Sequence, residues 1–322
     1  MGAATLGNLY QSMTDDNAQK TIAAALAAGV NYVDTAPFYG RGLSERRVGK
    51  AARGRPDIVL STKVGRLLLP DRTIADDREH DGFYSSMPFR AAFDYTRDGV
   101  LRSWEASLHR LGLAKVDILY VHDIGRRTHG DNHDRIWRQL TFGGGLRALE
   151  ELRDAGEIAG IGIGVNEVDV CLATMAEARL DAILLAGRYT LLEQAPLDEL
   201  FPKCAATQTS IIVGGPYNSG ILASGTRGIH PKYYDYAPAS EDVIGRVRAM
   251  EEIADHYDVP LAAMALQFPL AHPQVASVIP GLSTAKQAHV AKEMLSLSIP
   301  AQLWSELKDI NLIRSDAPTK MF

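Results

Sequence analysis

Four side chains able to move protons stand at or just past the ends of short apolar runs: Asp34, Tyr39, Lys63 and His122. A carboxylate, a phenol, an ammonium and an imidazole brought to one place form a tunable acid/base set. An isolated tyrosine has a pKa of about 10, too high for a good base near neutrality. A neighbouring ammonium favours phenolate and lowers that value, and a carboxylate holds the ammonium in place. The imidazole can hydrogen-bond a substrate oxygen or pass the proton on. Each residue alone has a plainer reading. An aspartate that ends a strand is often a cap for the next loop or helix. A single histidine there is often a hydrogen-bonded structural residue. The chain shows no metal-ligand cluster and no nucleophile elbow, so a redox step would need a bound cofactor as electron acceptor.

These residues converge only if the runs before them are parallel strands ending on one face. Eight runs read as strands, at residues 3–6, 32–34, 58–63, 116–122, 161–165, 182–186, 210–214 and 276–280. Several are nearly continuous in apolar residues, as strands covered on both faces are. Amphipathic helices are expected between them at 16–28, 98–111, 146–155 and 240–257. Gly112 and Gly156 suit their C-termini, Ser240 suits an N-cap, and Pro260 lies just past the last. The alternation predicts an α/β fold, a (β/α)8 TIM barrel, as a single domain over residues 1–322. An open doubly wound sheet would need a glycine-rich first turn, which Gly7-Asn8-Leu9-Tyr10 does not supply. Long stretches at 64–89, 123–144 and 216–238 follow the third, fourth and seventh strands. Phe83, Tyr84, Trp137, Tyr233 and Tyr234 favour packed walls around a site over disordered insertions.

Composition narrows the partners. The 322 residues are 46% hydrophobic with a net charge of −5. That leaves no basic footprint for nucleic acid and no polybasic signal for a membrane surface. The two cysteines, Cys171 and Cys204, lack metal-ligand neighbours and read as buried free thiols. No signal-peptide pattern opens the chain, and no apolar run approaches the ~18 residues of a membrane span. The expectation is a cytoplasmic protein acting on a small molecule, with no metal.

The motifs around the four residues resemble those of the aldo-keto reductases. Asn31-Tyr32-Val33-Asp34-Thr35-Ala36-Pro37-Phe38-Tyr39-Gly40, followed by Ser44-Glu45, is similar to the segment carrying that family's catalytic Asp and Tyr. Ser61-Thr62-Lys63-Val64-Gly65 resembles its lysine strand, and Tyr120-Val121-His122-Asp123 its histidine strand. Gly162-Ile163-Gly164-Val165-Asn166 resembles the strand whose end holds the nicotinamide carboxamide, and Ile279-Pro280-Gly281 the last strand and phosphate-binding turn. The resemblance spans nearly the whole chain. It implies a NAD(P)-dependent TIM barrel with Tyr39 as acid/base, supported by Asp34, Lys63 and His122. It implies cofactor contacts from Asn166, Gly214, Pro216, Asn218, Gly220, Gly281, Ser283, Thr284 and Gln287.

The departures from the family pattern point to a branch. Val165-Asn166 stands where Ser-Asn is usual, and Ala186-Gly187-Arg188-Tyr189 lacks the usual Gln. Gly214-Gly215-Pro216-Tyr217 replaces Tyr-Ser-Pro-Leu, so the aromatic that stacks on nicotinamide is absent in that register. Such a pattern resembles the branch with D-threo-aldose 1-dehydrogenases, L-galactose dehydrogenase and a pyridoxal 4-dehydrogenase. That branch implies oxidation of a cyclic hemiacetal to a lactone. Gln287 aligns with the arginine that clamps the NADP 2′-phosphate, and a neutral amide suits ribose hydroxyls better, so NAD is expected over NADP. The alternatives are an NADPH-dependent aldehyde or ketone reductase and a Schiff-base aldolase using Lys63. Substrate specificity is expected from Phe38, residues 64–89 and 123–144, and the tail at 304–322.

Overall fold

A computed structural model describes residues 1–74, 77–229 and 231–320. A 3-10 turn at Thr5–Gly7 precedes α1 (Asp15–Ala27), β1 (Tyr32–Asp34), α2 (Leu43–Ala52) and β2 (Val59–Val64). Four short strands follow, β3 (Arg66–Pro70), β4 (Glu79–His80), β5 (Phe83–Tyr84) and β6 (Phe89–Phe93). Next come α3 (Arg97–Leu111), β7 (Ile118–His122), α4 (Arg126–His129), α5 (His133–Leu140), α6 (Gly145–Asp154), β8 (Gly160–Val165) and α7 (Val168–Glu177). They are followed by β9 (Ala182–Ala186), α8 (Leu200–Thr207), β10 (Ser210–Gly214), α9 (Ile221–Ser224), β11 (Tyr233–Tyr234) and β12 (Ala237–Pro238). The chain ends with α10 (Glu241–His256), α11 (Leu261–Gln267), β13 (Val275–Ile279), α12 (Ala285–Ser296) and α13 (Ala301–Asp309). Two compact units result. One is Met1–Leu184 with Gly281–His289, the other Leu185–Pro280 with Val290–Phe322. Phe322, the end of the tail expected to shape specificity, lies outside the described residues.

In the first unit β1, β2, β7 and β8 pair in parallel in that order. Asp34 lies opposite Ser61, Lys63 opposite Tyr120, and His122 opposite Gly164. Side chains alternate along a strand. One face therefore carries Tyr32, Asp34, Ser61, Lys63, Tyr120 and His122. The same face of β8 carries only glycines, and they make room. A Cβ on Gly164 would lie 3.3 Å from Lys63 Cε, and one on Gly162 3.0 Å from the Tyr120 ring. The opposite face presents Val33, Leu60, Leu119, Val121, Ile161 and Ile163, all buried. Helices start where the sequence supplies a cap: Thr14 Oγ1 accepts from Asn17 N for α1, and Thr96 Oγ1 from Gly99 N for α3. Gly112 closes α3 at φ +64°, as its type allows.

The three long stretches carry secondary structure among their described residues. The described residues of 64–93 include the antiparallel pairs β3–β6 and β4–β5. The stretch after β7 forms α4 and α5, and in the second unit β11 pairs with β12. That unit also holds the parallel pair β10–β13. Its core packs Tyr189 edge-on against Phe201 at 4.6 Å and, tilted, against Phe268 at 5.3 Å. Trp304 is buried against Phe268, so it packs core within this unit. Cys171 and Cys204 are buried thiols in α7 and α8, outside any disulfide. No helix among the described residues is long and apolar enough to cross a membrane.

One expected strand is different. Residues 3–6 do not form a strand; Gly2 makes isolated parallel bridges to Asp34 and Gly281, and the chain then turns at Thr5–Gly7. Backbone approach explains the turn. A Cβ on Gly7 would lie 2.5 Å from the Tyr39 carbonyl carbon and 2.7 Å from Gly40 N. Buried Ala3 and Leu6 mimic a strand in composition, but the segment must curve to lie against residues 39 and 40.

These contacts set a stability test. Gly7→Ala forces the Tyr39–Gly40 backbone aside and should cost about 1–3 kcal/mol, as overpacking does. Gly245 sits exposed in α10 with nothing within 4 Å of its missing Cβ. Gly245→Ala should stabilise by about 0.5–1 kcal/mol. Urea unfolding of both variants checks the pair, and a neutral Gly7→Ala would sink the close-approach argument.

Candidate active site

Asp34 and Lys63 meet on the sheet face of the first unit, 2.5 Å from Oδ2 to Nζ, with both side chains 2% exposed. Ser61 Oγ donates to Asp34 Oδ1 at 2.7 Å, and Lys63 Nζ also donates to the Thr35 carbonyl at 2.9 Å. Ser61 shares a hydrogen bond with Tyr32 OH at 2.8 Å, and Tyr32 OH another with Tyr120 OH at 3.1 Å. Burial pushes both phenols well above the usual tyrosine range, Tyr32 with help from the nearby Asp34 charge. They are neutral hydrogen-bond carriers.

Tyr39 arrives on a loop that needs left-handed backbone. Gly40, Arg41 and Gly42 have φ of +60°, +56° and +97°. The non-glycine member is held in place: buried Arg41 pairs with Asp81 at 2.6 Å. Met87 N donates to the Gly40 carbonyl at 3.1 Å. The Tyr39 ring is thereby set with Lys63 Nζ 4.7 Å from its centroid. The His122 ring meets it edge-on at 5.9 Å, and Phe83 lies at 6.2 Å. The four residues singled out by type and spacing are thus one cluster.

His122 is buried and neutral. Burial, then the Arg66 and Lys63 charges, hold its imidazole well below the usual histidine range. Its Nε2 lies 3.4 Å from Asp123 Oδ2, and Nδ1 is buried with no hydrogen-bond partner among the described residues. Tyr95 OH donates to the His122 carbonyl at 2.6 Å and fixes the strand end. Arg66 pairs with Asp123 and lays its guanidinium 4.0 Å over Phe38. Phe38 in turn packs on Phe83 at 5.4 Å. Behind β2, buried Glu45 accepts from Thr62 Oγ1 at 2.8 Å and Arg110 Nε at 2.5 Å, tying α2, β2 and α3 together.

Sequence reasoning did not single out Arg66, Ser61 or Tyr95. Arg66 and Asp123 carried a signal, since each follows a chosen residue closely at a strand end. Tyr95 carried none, because it meets the cluster through the His122 backbone carbonyl.

The residues expected at a cofactor are placed as follows. Asn166 is half-buried just past β8. Gly281 bridges Gly2, and Thr5 Oγ1 donates to the Leu282 carbonyl at 2.6 Å. Thr284 Oγ1 accepts from Gln287 N at 3.2 Å, while Gln287 Oε1 accepts from Ser283 N at 2.6 Å. Gln287 therefore tethers its own loop, and Lys286 is exposed. In the second unit Gly214 ends β10 and Pro216 is buried. Asn218 Nδ2 donates to the Gly187 carbonyl at 3.2 Å, and Asn218 Oδ1 is buried with no partner among the described residues. Gly215, Asn218, Ser219 and Gly220 all have positive φ, so this loop is tightly coiled. Among the described residues no group of three or more His, Cys, Asp or Glu side chains could hold a metal ion.

Comparison with known proteins places this geometry. Residues 1–312 match the model of the aldo/keto reductase family. The chain is 42% identical over 321 residues to pyridoxal 4-dehydrogenase of Microbacterium luteolum, covering 97% of this chain and 93% of that protein. It is 40% identical over 320 residues to D-threo-aldose 1-dehydrogenase of a Pseudomonas species, with the same coverage. A solved aldo-keto reductase of Bacillus halodurans in its holo form is similar with a TM-score of 0.73 and 25% identity, over 100% of this chain and 92% of that one. The fold is the (β/α)8 barrel. The chain belongs to the aldo/keto reductase family and is an NAD(P)-dependent oxidoreductase.

Proposed function

We propose that this protein is an NAD-dependent dehydrogenase that oxidises a cyclic hemiacetal, of an aldose or of pyridoxal, to its lactone. The observation that carries the reading is the Lys63 ammonium held 4.7 Å from the Tyr39 ring by the buried Asp34 carboxylate. The two relatives at 42% and 40% identity support the substrate class by their names. Both aldoses and pyridoxal form cyclic hemiacetals, so one chemistry serves both.

NAD, when bound, would supply the two-electron acceptor for the hydride of the hemiacetal carbon. The remaining work belongs to the chain. Tyr39 takes the proton of the hemiacetal hydroxyl. The Lys63 charge favours the phenolate that can do so, and Asp34 keeps that charge in position. His122, neutral and buried, offers a hydrogen bond to the same substrate oxygen without competing for its proton. Phe38 and Phe83 give an apolar wall that suits the face of a ring. The Lys63–Asp34 pair also argues against a Schiff-base role, which needs a free amine.

Gln287 supports NAD over NADP. A clamp on a 2′-phosphate needs a guanidinium or ammonium. Here the side chain is neutral, and its carbonyl is occupied by Ser283 N.

Three outcomes are expected. Tyr39→Phe keeps the ring and removes the hydroxyl, so kcat should fall at least ~10²-fold while cofactor affinity barely changes. Near-normal turnover would falsify Tyr39 as the acid/base.

Lys63→Met should cripple turnover and move the rising limb of the oxidative pH–rate profile to higher pH, because the phenol loses its cationic neighbour. It also strands a buried carboxylate, a loss of about 3–5 kcal/mol. The double variant Asp34→Asn/Lys63→Met should recover much of that stability and remain inactive. Recovery of activity in the double variant would show that the pair serves folding alone.

NAD should exceed NADP in kcat/KM by about tenfold or more, since a charge-assisted hydrogen bond contributes ~1.5–3 kcal/mol. Gln287→Arg should narrow the gap by improving NADP. Titration of both cofactors at low salt decides it, and a wild-type preference for NADP would refute the assignment.

A further inference from the structure

A cavity of about 130 Å³ lies between β3 and α3 in the first unit. Leu67, Leu68 and Leu69 contribute from the strand, and Arg102, Ser103 and Arg110 from the helix. Arg66, at the start of β3, also lines it. The polar groups on this wall are donors. Two are buried and unused: Ser103, 1% exposed, has no partner for Oγ, and Arg66, 7% exposed, has none for Nε among the described residues. An unsatisfied buried donor is costly, and a ligand that accepts from it removes the cost.

Charge points the same way. The nearby carboxylates are already committed, Asp123 to Arg66 and Glu45 to Arg110. Arg110 NH2 also donates to Ser107 Oγ at 2.9 Å. Arg102 makes no ion pair among the described residues, which leaves the cavity one uncompensated positive charge. The volume holds a tetrahedral oxyanion and several waters. Guanidinium groups bind such oxyanions through paired N–H donors.

We propose that the cavity between β3 and α3 binds a small tetrahedral oxyanion of the phosphate or sulfate class, held by Arg102, Ser103 Oγ and Arg66 Nε. Neither Arg102 nor Ser103 belongs to the catalytic cluster. Ser103→Ala removes a hydroxyl that has no partner, and Arg102→Gln an exposed side chain, so the double variant should fold and turn over normally without added anion.

Thermal unfolding at constant ionic strength, with NAD present throughout to occupy the cofactor's own phosphate contacts, tests the site. Inorganic phosphate at ten times its Kd should raise the wild-type Tm by about 2 °C in a saturable way, with chloride as the control. A parallel titration with sulfate should do the same if shape and charge alone are read, and phosphate alone would narrow the ligand to phosphate. Arg102→Gln/Ser103→Ala should abolish the shift. A wild-type protein with no saturable shift overturns the proposal. So does a shift of equal size in the double variant, which would place the anion elsewhere.

Discussion

Two opposite charges 2.5 Å apart, each side chain only 2% exposed, lose nearly all of their hydration on folding. Their attraction repays that loss only when the remaining donors and lone pairs are also filled. Around Asp34 and Lys63 the sheet face does this with Ser61 on one carboxylate oxygen and the Thr35 carbonyl on the ammonium. The requirement spreads outward. Ser61 is positioned by Tyr32, and Tyr32 by Tyr120, so a chain of neutral hydroxyls crosses three strands. Space is the second requirement. A lysine stem and two tyrosines fit on one face because β8 presents glycine there. A close backbone fit at Gly7 then brings Tyr39 to the ammonium. Tyr39 is therefore carried by a loop whose backbone is fixed by Gly7 and by the Arg41–Asp81 pair, while Asp34 and Lys63 are fixed by the sheet.

A second ion pair completes the surroundings of the imidazole. Arg66 and Asp123 sit beside His122, and Arg66 is sandwiched at 4.0 Å over Phe38 and 5.0 Å over Phe93. Two cations near a buried imidazole disfavour its protonation, while the Asp123 carboxylate is itself pushed upward by burial. The result is a division of labour by environment. Lys63 is held by Asp34, and His122, kept from protonation by burial and the two cations, is left as a hydrogen-bond partner.

Much of this was legible in the residues, and the limits have physical causes. Strands β1, β9 and β10 match the apolar runs at 32–34, 182–186 and 210–214 residue for residue, because strands buried on both faces leave a dense signature. That Asp34, Lys63 and His122 would meet, with Tyr39 close by, was legible because parallel strands must deliver their ends to the same side. The first strand was misread: Ala3 and Leu6 are buried, but the segment is shaped by contact between backbones at Gly7 and Tyr39, which no side-chain pattern reports. Tyr95 escaped for a related reason, since it acts on a carbonyl. The hairpins β3–β6 and β4–β5 were expected only as packed wall, because short exposed strands alternate too briefly to give a period.

The division between fixed sheet and variable wall bears on specificity. Two relatives of nearly equal identity, 42% and 40%, are named for a pyridine aldehyde and for aldoses. Overall similarity therefore cannot separate those substrates. On the proposed hemiacetal chemistry the four clustered side chains cannot separate them either, because both substrates offer a hemiacetal hydroxyl and an adjacent C–H bond. Discrimination has to come from the side chains that meet the rest of the ring. In this chain those nearest the cluster are Phe38 and Phe83, edge to face at 5.4 Å, with the Arg66 guanidinium stacked on Phe38. A flat aromatic ring gains from stacking on such a wall, whereas a sugar presents hydroxyls that it leaves without partners. The wall is carried by the loop before Tyr39 and by the strand pairs β3–β6 and β4–β5.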